Sequence, residues 1–247
     1  MDEEMTSDTT QIRVIQHDDN DAFEPTLDPA FVLLGMVNEY SGRQAIEGGD
    51  IVERFYADER PVAKLFANYL LQYATRLGIE SPGISTSHAE TGHSSVESRR
   101  MNDQLNALYR FEYPDDRAAT MPDGQRLRFA HVSLGIDAFP QKRSMLYEPE
   151  AMNARFSYLH GVLLRYGRDD GVIRIANASE KVTLVQQVLA DLDVHWISHR
   201  YSVGGAPCCN EVSFGPRPRL VGFLDRARAE RAEAFAAAVR HGTLGES

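Results

Sequence analysis

The chain has 247 residues, 43 % of them hydrophobic and 25 % charged, with a formal net charge of −10, enough apolar material for one large domain or two of ordinary size. No uninterrupted apolar run approaches the roughly 20 residues of a membrane-spanning helix, and the N-terminus has neither the basic start nor the apolar centre of a secretory signal, so the expectation is a soluble, cytoplasmic chain with no membrane partner. The only two cysteines, Cys208 and Cys209, are adjacent; they are badly placed to bridge each other and too few for an extracellular disulfide framework.

The charge is unevenly distributed. Residues 1–30 carry nine acids against one base, Arg13, and so hold −8 of the −10. The rest has 27 acids against 25 bases. Residues 1–28 therefore read as an acidic, solvated arm, with one short candidate strand in "QIRVIQH". The nearly neutral body neither requires nor excludes a basic groove, because steering depends on how the charges cluster.

From Asp28, "DPAFVLLGMVNEYSG" opens with an aspartate cap and a first-turn proline, runs apolar, and stops at Gly42, as helices do. A glycine turn leads to a short strand, "IVERFYA", and then to the periodic helix "DERPVAKLFANYLLQYATRLGI". The polar "SPGISTSHAETGHSSVESRR" reads as a mobile loop, followed by "ALYRFEY", the turn "PDGQ", and a half-buried strand in "RLRFAHVSL". A second pass starts near Ala154: the helix "ARFSYLHGVLLRYG", the turn "RDDG", the strand "VIRIANA", and the capped amphipathic helix "SEKVTLVQQVLADLDV" with Ser179 as its cap. An antiparallel pair, "HWISHRYSV" and "CCNEVSF", comes next, and then the helix "RLVGFLDRARAERAEAFAAAVR". The arginines of that last helix, interleaved with Asp225, Glu230 and Glu233, suggest an ion-paired solvent face.

The opening helices of the two passes agree residue by residue at a period of about 126. Leu33 matches Leu159, Gly35 matches Gly161, Met36 matches Val162 and Tyr40 matches Tyr166; further on, "ADE" matches "ASE" and "LGI" matches "LDV". A repeat this long points to two like units about a pseudo-twofold axis rather than to a solenoid. The expected fold is α+β, with two pseudo-symmetric halves (29–150 and 151–247), each with helices packed on a small, mostly antiparallel sheet.

The glycine-centred helix, the strand, the amphipathic helix, and then two strands and a helix resemble one half of a LAGLIDADG homing-endonuclease fold, and the chain holds two such halves. The resemblance spans most of residues 29–240 and rests on the Leu-x-Gly helices and the order of elements. It implies two motif helices packed through small residues, with Gly35, Tyr40, Gly161 and Tyr166 at the interface between the repeats, and a saddle of two curved sheets that straddles duplex DNA. In that family an acid before the closing glycine of each motif holds a divalent metal, and catalysis needs such hard oxygen ligands. Here the matching positions hold Tyr40 and Tyr166, whose phenols are neutral at pH 7. Glu39 lies one residue off, about 100° around the helix, and its counterpart is Arg165. The resemblance therefore implies a chain that has lost cleavage, as intron maturases and some bacterial regulators of this fold have, with no catalytic residue and no cofactor.

For nucleic-acid contact the candidates are bases on strand faces and adjoining loops: Arg128, Lys142, Arg143, Arg174, His199 and Arg200. Several must share one concave surface to neutralise phosphates. The leading expectation is a non-cleaving DNA- or RNA-binding protein or ribonucleoprotein component. One alternative is a protein-interaction module, an inhibitor or assembly subunit, that uses residues 1–28. Another is a metal enzyme centred on His88, Glu90 and His93. "HAE" with a distant "PCCN" resembles the zinc nucleoside deaminases, but there the second cysteine falls three residues after the first, and the two pieces here are more than a hundred residues apart. On a helix His88 and His93 would diverge by about 140°. No Gly-x-Ser-x-Gly elbow and no Gly-Lys-Ser phosphate loop occurs.

Overall fold

The computed structural model describes residues 24–37, 43–46, 49–89, 92–109, 119–120, 126–130, 149–168, 171–176, 179–202 and 209–240. Helix α1 (Pro29–Met36) starts where the aspartate cap requires: the Asp28 carboxylate accepts the Ala30 N–H at 3.0 Å and Pro29 fills the first turn. It is apolar all round, with Ala30, Val32, Leu33, Leu34, Gly35 and Met36 buried. A helix of that kind belongs in a core rather than on a surface. Asp28 also ties three helices together, through its N–H to Ser157 Oγ (2.8 Å) and its carboxylate to Arg76 (2.6 Å).

The first half continues with β1 (Arg43–Ile46), β2 (Ile51–Phe55), a 3-10 turn at Ala57–Glu59, α2 (Arg60–Arg76), β3 (Ser85–His88), β4 (Ser94–Glu97), α3 (Arg99–Tyr109), β5 (Ala119–Thr120) and β6 (Arg126–Ala130). The second comprises α4 (Pro149–Tyr166), β7 (Ile173–Ala176), α5 (Ser179–Asp191), β8 (Ile197–Ser202), β9 (Cys209–Phe214) and α6 (Pro218–Arg240). Two three-stranded antiparallel sheets have the orders β2-β4-β3 and β7-β9-β8. In both, the strand before the amphipathic helix pairs with the second strand of the following hairpin, leaving the hairpin's first strand at the edge. The fold is thus α+β with two halves of like topology. A third sheet, β1-β6-β5, carries the segment between them.

Each amphipathic helix buries one stripe. In α2 it is Val62, Phe66, Tyr69, Leu70 and Tyr73; in α5 it is Val182, Val185, Val188 and Leu189. On β7 and β9 burial alternates, with Ile173, Ile175, Val212 and Phe214 facing inward. The buried apolar residues of both halves form one continuous core.

The structure corrects the sequence expectations at several points, the first being that α1 ends at Met36 and not at Gly42. The polar histidine stretch is not a loop but the β3–β4 hairpin leading into α3, paired from Ser85↔Glu97 to His88↔Ser94. Val96 is the only apolar residue that hairpin buries, so its alternation leaves no hydrophobic signal. Three residues of "ALYRFEY" belong to α3, helix α4 starts at Pro149, and residues 24–28 are docked rather than part of a free arm: Thr26 N–H donates to Asn153 (2.9 Å) and Glu24 pairs with Arg226 (3.2 Å). Residues 1–23 and 38–42, including Glu39 and Tyr40, lie outside the described residues.

Candidate nucleic-acid interface and the helix seam

Helix α1 lies chiefly against α4, and the two glycines meet there. A Cβ on Gly35 would fall 2.7 Å from Val162 N and closer still to Tyr158 O; one on Gly161 would fall 2.9 Å from Val32 C, 3.1 Å from Gly35 Cα, and closest to Val32 O. Each glycine thus touches the backbone of the opposite helix, which no side chain can allow. The approach is possible only because both positions lack a Cβ.

The seam ends in positive charge. The last carbonyls of α1, which have no partner within the helix, are taken up from across the seam. Arg165 Nη1 donates to Met36 O (2.7 Å), Lys181 Nζ donates to Val37 O (2.9 Å) and Leu34 O (3.2 Å), and Tyr166 Oη donates to Val37 O (3.2 Å). Cations at a helix C-terminus are favourably placed in its dipole field. Arg165 also donates to Arg54 O (2.9 Å) and forks onto both oxygens of Glu59 (3.1 Å each), with Glu53 at 3.5 Å. Its burial pulls the guanidinium pKa down, but Tyr166, Glu59 and Glu53 more than reverse that pull, and the group stays charged. The carboxylates of Glu53 and Glu59 are therefore turned onto a fixed guanidinium. Tyr166 is buried with its hydroxyl bonded across the seam, not half-exposed with a wet hydroxyl as a helix-end aromatic would be.

The outer faces of the two sheets carry their polar groups. On β7-β9-β8, Arg174, Glu211 and Arg200 are direct cross-strand neighbours; Arg174 Nε lies 3.0 Å and Arg200 Nε 2.9 Å from the Glu211 carboxylate. These hydrogen bonds, from Arg200 first, hold the Glu211 pKa below the ordinary carboxylate range. His199 is opposite Val212 and so faces the other side, with Nε2 at 2.8 Å from Asn210 Oδ1. Of the six candidate bases, then, Arg174 and Arg200 share a surface and His199 does not. Arg128 is on β6 opposite Ala45, in the third sheet, while Lys142 and Arg143 lie outside the described residues. On the first half's sheet, Ser87 and Ser95 both donate to Glu97 Oε1 (2.5 and 2.7 Å), which lowers that acid's pKa. Each outer face thus presents one glutamate on its middle strand, held by hydroxyls in one half and by arginines in the other.

A likeness to a solved fold can be set beside this geometry. No protein-family model matches the chain, and no curated protein matches it. The chain is similar in structure to I-DmoI, a LAGLIDADG homing endonuclease solved in complex with DNA and Ca. The sequences are 12 % identical, the match covers 78 % of this chain and 85 % of that one, and the TM-score is 0.44.

The histidine hairpin takes up its rings locally. His88 Nδ1 lies 2.8 Å from Ser94 Oγ, and the His93 ring meets Tyr56 at a tilt, with centroids 5.7 Å apart. Glu90 and Cys208 lie outside the described residues, among which no group of three His, Cys, Asp or Glu side chains is arranged to hold a metal.

Helix α6 differs from the expected ion-paired face at one residue. Arg228 pairs with Asp225 and Arg226 with Glu24, while Arg217, just before the helix, pairs with Asp193. Glu230 instead turns inward, its carboxylate accepting from Tyr69 Oη (3.0 Å) and His160 Nε2 (2.8 Å). It joins α2 and α4, one helix from each half. Nothing in the arginine- and glutamate-rich sequence of α6 separates Glu230 from its solvated neighbours. Burial pushes Glu230 up, but the His160 and Tyr69 hydrogen bonds bring it net below the usual carboxylate value. Burial first, and then the Glu230 charge, raise the Tyr69 phenol above its ordinary 10.

Because the folded state holds that proton more tightly than the unfolded one, this phenol's contribution to stability is complete below pH 10 and is lost as pH rises toward the folded pKa. Tyr69→Phe is therefore expected to cost about 2 kcal/mol at pH 7, through the lost charge-assisted hydrogen bond, and to lose progressively less against the parent above pH 10. Urea unfolding of both proteins between pH 7 and 11 checks this. A constant difference across that range would contradict it.

Proposed function

We propose that the protein is a nucleic-acid-binding component that does not cleave its partner. Binding is supported by two sheets of like topology set about a glycine-to-glycine seam, the outer face of one carrying the Arg174–Glu211–Arg200 row. The loss of cleavage rests on one observation: Arg165 and Lys181 take the carbonyls at the end of the seam, and Arg165 also holds Glu59 and Glu53 in an ion pair. The two buried cations there disfavour a divalent metal by like-charge repulsion, and the neutral Tyr166 phenol gives it no anionic oxygen. The row contributes two cations and one anion, so its outer arginine is the more available. The Arg200 side chain is 75 % exposed, and an ion pair this open to water is readily exchanged for a phosphate.

The test is retention of labelled DNA and RNA as a function of salt. Binding should weaken steeply with added salt, and Arg174→Gln with Arg200→Gln should make the log–log slope shallower by about 2. Deleting residues 1–23, which carry seven acids against Arg13, should tighten binding by relieving repulsion, provided Glu24 to Asp28 are kept. The oligonucleotide should return intact after incubation with magnesium. Binding that ignores salt, or a requirement for residues 1–23 in capturing a protein, would favour the interaction-module reading instead.

A further inference from the structure

The chain has one tryptophan, Trp196, and 55 % of it is exposed. It stands just before edge strand β8, where two residues face one glycine: Gly215 O accepts the His195 N–H (2.9 Å), and Gly215 N–H donates to Trp196 O (3.0 Å). A Cβ on Gly215 would fall 2.8 Å from Trp196 Cδ1 and 3.0 Å from Cε2, nearer still to Nε1. Phe214 points into the core, so Gly215 projects to the outer face of the sheet and the indole lies across it there. One side of the ring is backed by the Gly215 backbone while much of the ring stays open to solvent. Ser198 and Arg200 follow on the same face, with Ser213, Glu211 and Arg174 on the strands beside them.

We propose that Trp196 is a stacking platform for an unpaired base, with Arg200 and Arg174 meeting the adjoining phosphates, so that this sheet reads single-stranded nucleic acid. The inference rests on the nucleic-acid reading above and names its ligand class. A flat, backed indole offers a π-face, and a base can meet it only when its own face is uncovered. In a duplex the neighbouring pairs cover those faces and only base edges are shown. The surroundings favour a nucleotide over a protein partner, since an interfacial protein anchor is desolvated among apolar groups and the neighbours here are serines and charges. Arg200 lies about 13 Å along the strand from Trp196, within the span of a few extended nucleotides.

The single tryptophan makes the full-length chain its own reporter. Thymidine and uridine 12-mers should quench its emission, while a 12-base-pair duplex should leave it nearly unchanged. The deoxy and ribo strands tell which source of unpaired bases is preferred. Binding is followed separately by anisotropy of labelled strands. Trp196→Ala should weaken single-strand affinity about tenfold, the worth of one base stack, and leave duplex affinity within about twofold; Trp196→Phe should retain most of it. Single strands that bind without changing the emission, or with the same affinity for Trp196→Ala, overturn the inference while the nucleic-acid reading stands. If neither single strands nor the duplex bind, both fail.

Discussion

Gly161→Ala is expected to lower the melting temperature by about 6 °C, whereas Gly222→Ala, the same change in another helix, should raise it slightly. A glycine inside a helix ordinarily costs about 1 kcal/mol against alanine, and Gly222 of α6 has nothing within 4 Å of an added methyl, so there the ordinary gain applies. At Gly161 the methyl meets the backbone of Val32 and Gly35, which has no rotamer to change. The helices would have to separate, losing the packing of Val32, Leu33, Leu159 and Val162, all fully buried. Overpacking of this kind costs about 3 kcal/mol or more, outweighing the propensity gain, and a chain of this size loses about 2–4 °C per kcal/mol. Gly35→Ala should behave the same way. Differential scanning calorimetry of the three variants decides; equal stabilisation of all three would contradict a backbone-to-backbone seam.

Arg165→Met should cost about 3–5 kcal/mol, the usual penalty for leaving buried charge without its partner. Glu59 and Glu53 would lose the cation they face, and the carbonyls of Met36 and Arg54 would lose the donor Arg165 supplies. Arg165→Lys restores the charge but not the planar fork that reaches two carbonyls and a carboxylate together, and should recover only part of the loss. Pairing Arg165→Met with Glu59→Gln should be less damaging than the sum of the two single changes, because the second removes a charge the first left exposed to the core. Urea unfolding of the single and double variants gives the coupling directly. A result near zero would mean that Arg165 does not clamp the seam.

Much of this arrangement was readable in the chain. The duplicated Leu-x-Gly helices, the alternation of "VIRIANA", the stripe of α5 and the pairing of β8 with β9 are local patterns, and each segment takes its element for local reasons. What escaped was set by tertiary placement. Lys181 occupies the start of the α5 stripe, in line with Val185 and Val188, yet a lysine at a helix start reads as solvated until the carbonyls of α1 are seen above it. Arg165, one residue before the end of its helix, is the stronger clue, but in the sequence it stands only as the counterpart of Glu39. Glu230 is indistinguishable by sequence from the solvated acids of α6. The β3–β4 hairpin was hidden because serine hydroxyls, rather than apolar side chains, satisfy its faces. His199 and Arg200, neighbours in sequence, part to opposite faces once the strand register is fixed.

The meeting of the two glycines is most directly tested by nuclear Overhauser contacts in a sample labelled at glycine α-protons, with Gly35 and Gly161 assigned by substitution. Backbones this close should give a cross-peak between the α-protons of Gly35 and Gly161. Well-resolved signals from both glycines with no cross-peak between them would contradict the seam, and with it the two-half body on which the proposed binding surface depends.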